Sequence, residues 1–176
     1  LGWLGPVLAM ALGAGCGGPQ VPEVDRVVLV TIDTLRADRL GSYGHAAAHT
    51  PNLDTVAREG VRFAQAIAPT PVTLPSHASL MTALDPPAHG VRGNSIFSLG
   101  PDVPTLAEQM GEAGLATGAF VAAFVLDARF GLARGFDVYD DEVGERLAAE
   151  SPLAFAERRA DAVVDAALAW VRQAPE

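Results

Sequence analysis

The chain has 176 residues, 49% of them apolar and 19% charged, which argues against a disordered chain and suits one domain with a sizeable core. Lys and Arg total 12 against 21 Asp and Glu, a formal net charge of -9, so the charge balance gives no reason to recruit a polyanion and no nucleic-acid partner is expected. With one cysteine, Cys16, there is no intrachain disulfide to consider.

Residues 1–15 (LGWLGPVLAMALGAG) are apolar and uncharged and end in small residues just before Cys16. They read as the hydrophobic stretch of an export signal. A spanning helix needs roughly 20 residues, and Pro6 and the glycines weaken this one, although a retained anchor is an alternative. Small residues ahead of Cys16 resemble a bacterial lipoprotein cleavage site, with Gly13 where such sites usually place Leu. On that reading Cys16 carries a lipid anchor to the membrane and the protein is extracytoplasmic, periplasmic or membrane-anchored. The competing reading is an ordinary signal peptide with an incidental cysteine. Residues 1–16 are therefore the signal or lipoprotein segment, 17–25 (GGPQVPEVD) a Gly- and Pro-rich linker, and 26–176 the folded body.

Val27 to Ile32 (VVLVTI) is a β-branched run of the kind buried on both faces in a parallel sheet. It leads straight into Asp33, predicting a carboxylate at the carboxyl end of a central strand, where open α/β sheets keep their ligand sites. Thr50-Pro51 followed by NLDTVAREG has an N-cap, a proline at the first helical position and Gly60 as a stop. Val61 to Ala68 predicts a strand. Pro75 to Leu84 predicts a short helix, with Thr73 in the turn before it. Thr105-Leu106-Ala107-Glu108 fits a capping box, with Leu106 and Met110 on one buried face. Ala116 to Val125 predicts another buried strand. From Pro152 to Gln173, Ala156, Val163, Val164, Ala167, Leu168 and Val171 recur at helical spacing. Alternating buried strands and helices predict a layered α/β/α arrangement.

A carboxylate at a strand end suits a hard or borderline divalent cation, and a hydroxyl at a helix amino terminus is placed to meet an anion. Asp33 and Thr73 are those two groups, and alone neither is specific.

Three segments occur in order: VTIDTLRADRLGSYG, TPNLDTVAREGVRF and PVTLPSHASLMTALDPPAHGVRGN. Together they resemble the sulfatase family of the alkaline phosphatase superfamily over roughly residues 26–140. The resemblance implies a three-layer α/β/α sandwich with a mostly parallel sheet, here incomplete, and a metal-binding Asp at Asp33. By the pattern Cys/Ser-x-Pro-Ser-Arg, the nucleophile falls on Thr73, with His77 in place of the arginine. Formylglycine is made from Cys or Ser, and the β-methyl of Thr73 blocks that product, so no formylglycine is expected.

A threonine nucleophile is found in the related nucleotide pyrophosphatase and phosphodiesterase branch. Thr73, Pro75, His77, His89-Gly90 and Asn94 are similar to its layout, Asn94 lying 94 − 73 = 21 positions after Thr73. The implied mechanism is in-line attack by a metal-bound Thr73 alkoxide, with a covalent ester that water later hydrolyses. Asp33 and Thr73 would be metal ligands to Zn, Ca, Mg or Mn, and Asn94 would donate to a non-bridging oxygen. Asn94 also reads as a plain turn residue, His77 as an orienter of the nucleophile or a structural helix residue, and His89 as a packing or turn residue. Arg36, Asp38, Tyr43 and Asn52 match family words without an assigned chemistry.

The Gly-Lys-Trp and His-Leu-Gly segment common in sulfatases is absent from ATGAFVAAFVLDARFG, and no Asp-His-Gly segment follows Val125. The expectation is a fragment whose remaining metal ligands lie beyond Glu176 and which is itself inactive. The full-length protein would be a metal-dependent hydrolase of a small anionic ester, sulfate or phosphate. The alternative is a catalytically inactive extracytoplasmic protein of the same fold that binds anionic ligands.

Overall fold

A computed structural model describes residues 26–143 and 157–174. The signal and linker expectations, Cys16 and Ala156 lie outside the described residues. The chain divides into two compact units, Leu1–Thr31 and Ile32–Glu176. In the first, residues 26–31 form neither helix nor strand and are exposed.

In the second unit five helices are described: α1 (Pro51–Glu59), α2 (Thr73–Thr82), α3 (Pro86–His89), α4 (Leu106–Glu112) and α5 (Ala160–Val171). They accompany two short strands, β1 (Gly118–Phe120) and β2 (Val138–Asp140). The strands pair in parallel, with Gly118 opposite Val138, Ala119 opposite Tyr139 and Phe120 opposite Asp140. Helices around a parallel sheet make the α/β class expected, in an incomplete form of the three-layer arrangement.

Two predicted strands do not form. Val27 to Ile32 has no regular structure, and Val28 and Val30 are 77% and 73% exposed. Val61 to Ala68 is likewise irregular, with Ile67 92% exposed. A strand exists only through its neighbours, because its N–H and C=O groups bond across to another chain segment. Among the described residues neither run enters the sheet, so β-branched composition alone did not produce one. Of Ala116 to Val125, only Gly118–Phe120 is strand, and Phe124–Leu126 turns into a 3-10 helix.

The helix expectations fare better. The capping box at α4 is complete. Thr105 Oγ1 accepts from the Glu108 N–H at 3.1 Å and Glu108 Oε2 accepts from the Thr105 N–H at 2.8 Å. Thr105 is fully buried, and its hydroxyl donates to the Arg134 carbonyl at 3.1 Å, tying α4 to the loop before β2. Gly135 makes this approach feasible: a Cβ there would strike the Glu108 nitrogen and lie 2.6 Å from the Ala107 carbonyl carbon.

Thr50 stands at the N-cap of α1, but its side chain does not cap the helix backbone. It accepts from the Gly41 N–H at 3.0 Å and donates to the Asp54 carboxylate at 3.2 Å. Asp54 Oδ1 also accepts from the Ser42 N–H at 2.6 Å, so α1 is fastened to the 3-10 turn Gly41–Tyr43.

The core is built on α2. Leu74 and Ala78, four residues apart on one face, are fully buried with Val91, and Leu99, Val125, Leu126, Phe130 and Leu132 join them. Phe124 meets Phe130 edge to face at 5.7 Å. Burying that face fixes α2 about its own axis, which fixes where Thr73 and His77 sit. On the other side of the sheet α5 lies against β1, with Trp170 over Gly118 and 6.1 Å from the Phe120 ring. The outward positions Val164 and Leu168 of α5 are 53% and 45% exposed.

Candidate active site

Thr73 is the first residue of α2, with Val72 as N-cap, so it lies inside the first helical turn and not in the turn before it. Pro75 at the third position carries no N–H and has φ suited to a helix start, so it costs the ladder nothing. The Leu74 N–H, which has no partner inside the helix, donates to Asn94 Oδ1 at 3.0 Å. Asn94 thus acts as a cap supplied from twenty residues downstream, with its amide NH2 as the donor end of the side chain.

Asp33 sits in a tight turn closed by the Leu35 N–H on the Ile32 carbonyl at 3.4 Å, not at the end of a strand. The Thr34 N–H donates to Asp33 Oδ1 at 3.0 Å. Thr34 has φ +55°, a left-handed conformation that a β-branched residue adopts at a cost of about 1–3 kcal/mol. Three described non-glycine residues have positive φ, and two of them, Thr34 and Ser95, directly follow Asp33 and Asn94. This strain aims the Asp33 carboxylate at the helix: Thr73 Oγ1 donates to Asp33 Oδ2 at 3.0 Å.

One turn into α2, His77 Nδ1 lies 2.8 Å from the Thr73 carbonyl oxygen. A carbonyl only accepts, so Nδ1 carries the hydrogen. All four residues singled out from sequence, Asp33, Thr73, His77 and Asn94, therefore converge on the first turn of α2. They do so through side-chain and backbone contacts.

His89 is 3% exposed. It accepts from the Val91 N–H through Nδ1 at 3.1 Å, so Nε2 is the donor to Ser79 Oγ at 3.0 Å. Burial lowers its pKa from the ordinary 6.5, consistent with a neutral ring that braces the end of α2. Its partner Ser79 carries no sequence signal, because the pairing depends on the chain turning back through α3. Asp38 forms a two-point pair with Arg36, Nε to Oδ1 at 2.9 Å and Nη2 to Oδ2 at 2.6 Å, and that guanidinium lowers its pKa.

Among the described residues, no group of three or more His, Cys, Asp or Glu side chains comes together. Asp33 and Thr73 supply two oxygen donors, fewer than the four of a zinc site or the six to eight of calcium.

The sulfatase family model matches residues 25–174 of this chain. The chain belongs to the sulfatase family. It is 36% identical to bovine (Bos taurus) arylsulfatase A over 116 residues, 63% of this chain and 22% of that protein. It is 34% identical to mouse (Mus musculus) steryl-sulfatase over 120 residues, 62% of this chain and 19% of that protein. Arylsulfatase from Clostridium perfringens is 39% identical over 64 residues, 36% of this chain and 13% of that protein. The crystal structure of a candidate sulfatase from Bacteroides thetaiotaomicron matches with a TM-score of 0.59 at 27% identity, covering 82% of this chain and 31% of that one. This sulfatase-family chain thus spans about a fifth of the length of the curated relatives it matches.

Proposed function

We propose that the protein is a hydrolase of sulfate or phosphate esters in which Thr73 is the nucleophile. The observation that carries this reading is the hydrogen bond from Thr73 Oγ1 to Asp33 Oδ2 at 3.0 Å, a hydroxyl already aimed at a proton acceptor. Membership of the sulfatase family supports the ester-hydrolase class.

In the attack step Asp33 Oδ2 takes the Thr73 hydroxyl proton as Oγ1 bonds to the sulfur or phosphorus. The bond to the ester oxygen breaks on the opposite side, and the departing oxygen takes a proton from water. The hydroxide left by that water then attacks the Thr73 ester, Asp33 returns its proton to Oγ1 as the bond to sulfur or phosphorus breaks, and the protonated sulfate or phosphate leaves. The amide NH2 of Asn94 donates to a non-bridging oxygen as charge builds there, and the positive end of the α2 dipole favours the same charge. His77, by donating to the Thr73 carbonyl, positions the nucleophile.

A divalent cation, Zn, Ca, Mg or Mn, would take Asp33 and Thr73 as two of its ligands and supply positive charge that favours the alkoxide. The substrate is a small anionic ester. The apolar stretch ahead of Cys16 supports an extracytoplasmic location with a lipid on that cysteine.

The test is the full-length protein and its Thr73→Ala variant, assayed on aryl sulfate, phosphate monoester and phosphodiester substrates. Loss of turnover in a folded Thr73→Ala variant is expected. A parent protein without turnover on all three classes removes the enzyme reading.

A further inference from the structure

Away from Thr73, a cleft of about 220 Å³ is lined by Ser42, Asp54, Ala57, Arg58 and Arg62. Arg58 stands in the last turn of α1, and Arg62 follows after Gly60 has ended the helix. Two guanidinium side chains therefore line one opening.

Arg62 has a fixed seat. Its guanidinium carbon lies 4.9 Å from the centre of the Tyr43 ring, and the Tyr43 hydroxyl donates to the Phe63 carbonyl at 2.7 Å. A guanidinium held over a ring face still has N–H groups available for hydrogen bonding.

The one acidic wall residue is already committed. Asp54 accepts from the Ser42 N–H at 2.6 Å and from the Thr50 hydroxyl at 3.2 Å on each oxygen. Arg58 meets Glu59 at 3.4 Å with both side chains about two-thirds exposed, a solvent-screened pair that another anion displaces readily. Two Arg stand against one hydrogen-bonded Asp in the lining, with Glu59 beside Arg58 outside it, on a protein whose formal net charge is -9.

We propose that this cleft is an anion-binding site that takes a tetrahedral oxyanion, sulfate or phosphate, through the forks of Arg58 and Arg62 and the Ser42 hydroxyl. Its volume admits the ion together with part of its water. A guanidinium fork matches two oxygens of a tetrahedral oxyanion at once, which a chloride ion cannot reproduce. The site does not depend on Thr73 being a nucleophile.

The experiment follows backbone amide resonances of the full chain during separate titrations with sodium sulfate, sodium phosphate and sodium chloride at constant ionic strength. Saturable shifts at Ser42, Arg58 and Arg62 with sulfate or phosphate, and not with chloride, are expected, and the tighter of the two oxyanions identifies the source. Arg58→Gln with Arg62→Gln should weaken the response about tenfold or more, and Thr73→Ala should leave it unchanged. Should the double variant unfold, Arg62→Lys decides, because it keeps the charge and loses the fork and is expected to bind several-fold more weakly. The proposal is overturned by equal shifts with chloride, by no shift at these residues, or by undiminished affinity in the folded variants.

Discussion

The Thr73 hydroxyl donates to Asp33 Oδ2 at 3.0 Å, although forty residues of chain separate them. The contact joins a helix anchored in the core to an exposed turn, and two features hold it. Leu74 and Ala78 anchor α2 in the core, and the left-handed Thr34 bends the turn so that the carboxylate faces the helix.

Replacing Asp33 by Asn keeps the shape but removes the proton acceptor. Turnover of the full-length Asp33→Asn protein should fall by about a hundredfold or more, with the thermal midpoint little changed, since Asp33 is exposed. Parallel assays of hydrolysis and melting check this, and near-parental turnover would contradict a role for the carboxylate in activating Thr73.

The cap that Asn94 supplies and the donor role proposed for it are separable. Asn94→Ala leaves the Leu74 N–H without its cap and should cost about 1 kcal/mol of stability together with activity. Asn94→Asp keeps the acceptor and loses the NH2 donor, so its stability should match the parent while turnover drops by about two orders of magnitude. Denaturant melts set beside kinetics separate a turn residue, for which the two variants behave alike, from an oxyanion donor.

His89 makes stability depend on pH. Its folded pKa is lowered from 6.5 by burial, so the unfolded chain binds more protons in the interval between the two values. The stability it contributes is complete above about pH 6.5 and is lost as pH falls through the lower folded value. Protonation of Nδ1 would also destroy the acceptor for the Val91 N–H. Thermal midpoints taken from about pH 8 down to about pH 5 should fall on the acidic side, with a shallower slope in a folded His89→Gln variant. Equal slopes would assign the acid loss to other groups.

Helices were legible in the sequence because their signals are local. Thr50-Pro51, Gly60 and Thr105 through Glu108 state their own starts and stops within a few residues, and the helices at 51–59 and 106–112 follow them. α2 starts at Thr73, two residues ahead of the start that Pro75 suggests, since a helix can begin with two ordinary residues before its proline. Strands were not legible in the same way. Val27 to Ile32 and Gly118 to Phe120 are both apolar and short, yet among the described residues only the second is paired as a strand, with Val138 to Asp140.

The sequence by itself determined the family, through three ordered motifs, and singled out Asp33, Thr73, His77 and Asn94 as candidates, because chemistry is written in side-chain type. It also determined that Thr73 cannot become formylglycine, since the methyl on its β-carbon is covalent. Only the tertiary structure decided that Asp33 Oδ2 meets Thr73 Oγ1, that Asn94 caps Leu74, and that Arg58 and Arg62 share a cleft with Ser42. Those contacts arise when the apolar face of α2 is buried and Thr34 and Ser95 are held in strained backbone conformations. Such energies belong to the packed whole and to no local stretch of sequence.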